Sequence, residues 1–102
     1  MLDFSLEQII EALAKRLRGK VDAAWLFGSV SGGSAGAWSD LDVVLVARSA
    51  RPFIERPLDF PDVFELGLPV DLLVYTPEEF AGLVDSQGGF WKTFRVSRVQ
   101  IV

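Results

Sequence analysis

Asp40 and Asp42 flank a single leucine at the head of one apolar run, and Asp71 stands between Val70 and Leu72 in another. On an extended chain, residues two apart project to the same face, so Asp40 and Asp42 present their carboxylates together while Leu41 points into the opposite layer. Two adjacent carboxylates repel unless a cation lies between them. If the run carrying Asp71 pairs with the run carrying Asp42, a third carboxylate joins the cluster. Such a trio suits one or two Mg²⁺ or Mn²⁺ ions, which neutralise a triphosphate, activate an attacking hydroxyl and stabilise a leaving pyrophosphate. The chain contains no histidine and no cysteine. Any metal must therefore be held by oxygen, which favours hard cations over zinc. A lone Asp at a strand mouth is ordinarily a turn or capping residue; it is the conjunction of the three that points to a site.

The elements that would position these acids follow from hydrophobic spacing. Leu6, Ile9, Ile10, Leu13 and Leu17 recur at helical intervals, with Ser5 as N-cap, Gln8 in the capping-box position and Gly19 as a stop. Residues 21–27 form a short apolar strand that ends at Gly28. Residues 28–39 then carry Gly28, Gly32, Gly33 and Gly36 among small side chains, a composition that lets backbone bend closely around a ligand. Residues 41–47 predict a strand buried on both faces. From 48 to 69 four prolines and scattered charge predict a crossover loop with at most a short helix over 61–66.

Residues 70–75 predict a third strand, and Thr76, Pro77 and Glu79 a strongly signalled helix start. That helix runs through Phe80, Leu83 and Val84 until Gly88 and Gly89 break it. Phe90, Trp91 and Phe94 predict a further short helix, and residues 99–102 an edge strand. Together these predict one α/β (α+β) domain spanning 1–102, with a small mixed sheet of about four strands flanked by helices. A chain of 102 residues, half of them hydrophobic, closes one core and leaves no room for a second.

Composition narrows the partners. The net charge of −4 argues against non-specific wrapping of nucleic acid, which depends on Lys and Arg neutralising phosphates. The first ten residues include Asp3 and Glu7 and lack the basic start of a signal peptide, and no apolar run is long enough to span a bilayer, so a cytoplasmic protein is expected. Three tryptophans in so short a chain predict more apolar surface than one core needs, hence a protein partner or a homodimer. Trp38, just before Asp40, suits an interface or a nucleobase platform. Trp25 and Trp91 suit core or interface.

The stretch Leu26-Phe27-Gly28-Ser29, followed ten residues later by Asp40-Leu41-Asp42-Val43-Val44-Leu45-Val46, resembles the signature of the DNA polymerase β-like nucleotidyltransferase superfamily. Length and spacing are most similar to its minimal branch, whose members are often antitoxin partners of HEPN-domain toxins. The resemblance implies Mg²⁺-dependent transfer of a nucleotidyl group, AMP from ATP, to a hydroxyl acceptor such as a partner toxin. By the same resemblance, Gly28 and Ser29 would contact the β- and γ-phosphates, Asp40 and Asp42 would hold metal ions, and Asp71 would be the third carboxylate. Glycine would let a backbone N–H approach the phosphates, and Ser29 would add a hydroxyl donor.

One departure stands out. Minimal members commonly carry arginine shortly after the Gly-Ser pair, whereas Val30, Ser31 and Gly32 follow here, and residues 21–47 contain no Lys or Arg. The cations left to meet a triphosphate are Arg48, Lys92, Arg95 and Arg98. The alternative that this departure raises is an antitoxin that neutralises its toxin by binding, with little or no turnover.

Overall fold

The computed structural model of the chain describes residues 5–28 and 41–102. Helix α1 (Leu6–Leu17) begins at the expected capping box. Ser5 Oγ accepts the Gln8 N–H at 3.2 Å, and Gln8 Oε1 accepts the Ser5 N–H at 2.9 Å. Two of the orphan donors of the first turn are thereby satisfied within one tetrapeptide. The helix ends before Gly19, whose φ of +80° lies in the left-handed region that glycine enters without steric cost.

Four strands form one sheet in the order β3-β2-β1-β4. β1 (Ala23–Phe27) pairs antiparallel with β2 (Leu41–Val46), which pairs parallel with β3 (Val70–Tyr75). The two-residue β4 (Val99–Gln100) pairs antiparallel with the outer edge of β1. This is the mixed sheet the sequence predicts, with shorter outer elements. β4 spans two residues instead of four, and β1 starts at Ala23 instead of residue 21.

β2 is the centre of the molecule. Val43, Val44 and Leu45 are fully buried, because the alternating pleat of the strand feeds two different cores. On one face Leu41, Val43 and Leu45 pack with Leu26, Leu72, Val74 and the α1 residues Leu13 and Leu17. On the other, Val44 packs with Phe27, Trp91 and Phe94, bordered by Trp25, Leu73, Tyr75 and Phe80. That second core is largely aromatic. Trp25 stacks on Phe80 with ring centroids 5.0 Å apart, while Phe94 meets Trp25, Phe27 and Trp91 edge-on. Trp25 and Trp91 therefore act as core residues. The rings of this core come from the sheet, from α3 (Pro77–Leu83) and from α4 (Gly89–Ser97).

A parallel β2–β3 pair requires a crossover, and here it is more ordered than a Pro-rich loop. Residues Phe53–Asp59 form a 3-10 helix and Pro61–Phe64 a single α-turn, α2. The extra order has an identifiable anchor in Arg56, which is 7% exposed. Its guanidinium donates to both carboxylate oxygens of Glu79, to the Val74 carbonyl at 3.1 Å and to the Arg51 carbonyl at 3.0 Å. Glu79 is also the capping residue of α3, accepting the Thr76 N–H at 2.9 Å. One ion pair thus ties the crossover, the end of β3 and the start of α3 together. Hydropathy patterning is blind to such a residue, which reads as a surface arginine.

The Arg56 hydrogen bonds, helped by the Thr76 N–H, hold the Glu79 carboxyl down at about 2 from its ordinary 4.5. A depressed folded-state value makes this contribution to stability fully present above pH 4.5 and progressively lost as pH falls toward 2. Glu79→Gln should therefore flatten the acid limb of the stability profile across that window, measured by chemical denaturation at successive pH values. Arg56→Ala should cost about 2 kcal/mol at pH 7, a figure for charge-assisted hydrogen bonds that already allows for the half-exposed Glu79.

Candidate active site

Asp42 and Asp71 are register partners on the parallel pair β2 and β3. Neighbouring strands lie about 4.8 Å apart, so the two carboxylates sit side by side on one face of the sheet. That face is the aromatic one, because Asp42 alternates with Val43 and falls on the side of Val44. The acids occupy its open end. Asp42 is half-buried and Asp71 exposed. The apolar surroundings of Asp71 in sequence suggest a costly buried acid; in space, a place one residue in from the end of an outer strand leaves it exposed to water. Solvation alone can accommodate its charge.

On the other side of Asp42, β1 contributes Phe27, its direct register partner, and then the turn at Gly28. Gly28 has φ +84°, and a Cβ added there would lie 2.8 Å from Asp42 Oδ2. Both facts demand glycine, since a larger residue would be strained and would press on the carboxylate. The Gly28 N–H donates to Ser97 Oγ at 2.8 Å, and Ser97 Oγ donates onward to the Thr93 carbonyl at 2.7 Å. The missing side chain of Gly28 thus leaves room for the Asp42 carboxylate, and its amide donates to the end of α4. Ser97 lies 69 positions from Gly28. No local spacing rule connects them.

Of the residues singled out in sequence, Gly28, Asp42 and Asp71 converge at this end of the sheet. Ser29, Asp40 and Trp38 lie outside the described residues. Among the described residues no group of three carboxylates comes together. The pair that does, Asp42 with Asp71, offers only oxygen donors on a solvent-open rung, which fits a hard divalent cation.

The four distant cations separate cleanly. Arg48 follows β2 at the far end of the sheet and lies 3.9 Å from Glu78. It lines a cleft there with Lys20, Arg56, Asp59 and Phe60. Lys20 pairs with Asp62 at 2.9 Å and Arg56 with Glu79, so two of that cleft's cations serve the crossover. Arg95 donates to the Val84 and Ser86 carbonyls at 2.7 and 2.8 Å, closing the α3–α4 turn. Lys92 and Arg98 are exposed. No described helix is long and apolar enough to cross a membrane.

The sequence of the chain matches the family model of the nucleotidyltransferase domain over residues 6–90, and the chain belongs to that family. No curated protein matches it. Among solved structures it is similar to a toxin–antitoxin complex with AMP-PNP, at TM-score 0.62 and 23% identity, covering 91% of this chain and 72% of the other. It is also similar to a mutant of the toxin–antitoxin pair MntA-HpeT carrying two Asp-to-Glu substitutions. There the TM-score is 0.58 and the identity 20%, covering 97% of this chain and 73% of the other. At such identities the likeness establishes a shared fold.

The Gly28–Asp42 contact makes a direct prediction. Gly28→Ala should cost about 1–2 kcal/mol of stability from the left-handed backbone. It should also displace the Asp42 carboxylate, lowering divalent-cation and nucleotide affinity more than the stability loss explains. Calorimetric titration beside thermal denaturation checks both arms.

Proposed function

We propose that this domain transfers a nucleotidyl group, AMP from ATP, to a hydroxyl on a partner protein. The observation that carries the reading is the placement of Asp42 and Asp71 on one rung of the sheet, with Asp42 packed against a glycine turn. In the reaction, the acceptor oxygen bonds to the α-phosphorus, the α–β phosphoanhydride bond breaks, pyrophosphate leaves and the hydroxyl proton passes to a base. Asp71, exposed and adjacent to Asp42, is the described carboxylate best placed to receive that proton.

Asp42 and Asp71, joined by Asp40, would hold Mg²⁺ or Mn²⁺, and Ser29 would offer its hydroxyl to the phosphates. When bound, such an ion draws charge from the triphosphate and the leaving pyrophosphate. The solved neighbour with AMP-PNP supports an adenine nucleotide as donor. Both neighbours are toxin–antitoxin structures, and this supports a toxin, of the HEPN type by the sequence resemblance, as the acceptor.

A second reading is neutralisation by binding alone. Two observations favour it: residues 21–47 lack any Lys or Arg, and the 3-10 helix exposes Ile54 and Leu58 at 83% and 68%. Apolar side chains that exposed suit a protein interface, with a partner or with a second copy.

One experiment separates the readings. The protein is incubated with α-labelled ATP, Mg²⁺ and the protein encoded by the adjacent gene. Label should move to that partner and vanish in Asp40→Asn/Asp42→Asn. Full labelling by the double variant would sink the assigned roles. Absent label, with the double variant still suppressing toxicity, selects the binding reading, and Ile54→Asp/Leu58→Asp should then weaken the complex at least tenfold.

A further inference from the structure

We infer that Arg98 supplies the phosphate-binding cation that the sequence of residues 29–40 lacks, holding the triphosphate tail from the opposite side of the site to the aspartates. This rests on the nucleotidyl-transfer reading above. The sheet register places Arg98 on the rung of the acids. Asp71 pairs with Asp42, Asp42 with Phe27, and Leu26, one residue before Phe27, with Val99. Arg98 is therefore the next residue along the same rung, beyond Phe27. Two strand spacings, about 10 Å, separate its position from that of Asp42.

The face is also the same. Gln100 pairs with Trp25, whose ring belongs to the aromatic core. Arg98 caps α4 in extended conformation, φ −63° and ψ 139°, so it falls on the side of Gln100. Its guanidinium lies over the Phe94 ring, 5.6 Å from the centroid, and Phe94 in turn meets Phe27. Such a placement holds the cation at the rim of the site by cation–π attraction. Next to it, Ser97 anchors the Gly28 amide. The residue thus belongs to the segment fastened to the turn.

The other candidates fail on position or occupation. Arg48 is at the far end of β2, and Arg95 is committed to two carbonyls. Lys92 is six residues before Arg98, and at 100° per residue it projects from α4 away from the buried Trp91 and Phe94. Among the described residues no carboxylate pairs with Arg98, so its charge is not neutralised by an ion pair there. A guanidinium on one side and a carboxylate pair with its cation on the other would clamp a polyanion from both ends. Guanidinium geometry suits bidentate contact with phosphate oxygens.

Calorimetric titration with Mg²⁺ and AMP-PNP tests this, using Arg98→Met to retain an apolar cover over Phe94 without the charge. The expected loss of affinity is about tenfold or more, with Arg98→Lys intermediate, Arg48→Met unchanged, and adenosine binding unaffected throughout. Wild-type affinity in Arg98→Met, while Asp42→Asn loses binding, would overturn the role of Arg98 and leave the nucleotidyl-transfer reading standing. Equal losses for AMP-PNP and adenosine would also overturn it, by showing that Arg98 only shapes the fold. No binding of AMP-PNP by the wild-type protein would overturn both.

Discussion

Everything at this site depends on β2 being enclosed on both faces and paired along both edges. Val43, Val44 and Leu45 have no access to water, so a charge anywhere along the middle of the strand would face a large desolvation cost. Asp42 stands near the head of the strand, where it is only half-buried. The same geometry prevents drift. Register with β3 on one side and β1 on the other fixes Asp42 beside Asp71 and Phe27, and a one-residue slip would turn the acid into the aliphatic core. Preorganised placement of this kind is what a metal-dependent site requires, since ligands that must be repositioned lose affinity to their own reorganisation.

The two faces of the sheet divide the remaining work. The aliphatic face carries α1 and the crossover, including Phe60 and Val63, and supplies most of the buried methyl groups. The aromatic face carries α3, α4 and the acids. Large flat rings there form a stiff support with few rotamers, and Phe27 and Phe94 form part of the floor of the rung on which Asp42 sits. Arg56 and Glu79 join the two halves, since one guanidinium meets the crossover, β3 and the cap of α3. The site lies at the other end of β3 from this clasp. Loss of the clasp would therefore reach the site through loosening of β3.

Much of this was legible in the residues because it rests on local rules. The capping boxes at Ser5 and Thr76, the glycine stop after α1, and the doubly buried β2 each follow from spacing within a few positions, and each is present in the fold. The placement of Asp42 beside Asp71 needed one further assumption, that their strands pair, which a parallel register satisfies. What escaped were contacts between residues far apart whose types carry no periodic signal. Arg56 is a buried arginine in a segment that otherwise looks like loop, and Ser97 is an ordinary helix-terminal serine until it meets Gly28. Gly28 carries two contacts that local sequence does not show: its amide donates to Ser97, and its missing Cβ leaves the space that Asp42 Oδ2 approaches.

The acidity of the chain gains a reading from this arrangement. With a net charge of −4 and two carboxylates exposed or half-exposed on one rung, the bare site would repel a triphosphate. On the acidic side of the site attraction would come from a divalent cation held by the carboxylates, which would reverse the local field over a few ångströms with little reach beyond the Debye length. Under the proposed function the nucleotide would enter as its metal complex. The acids are positioned by strand register and by the Gly28 contact, neither of which needs a ligand to form.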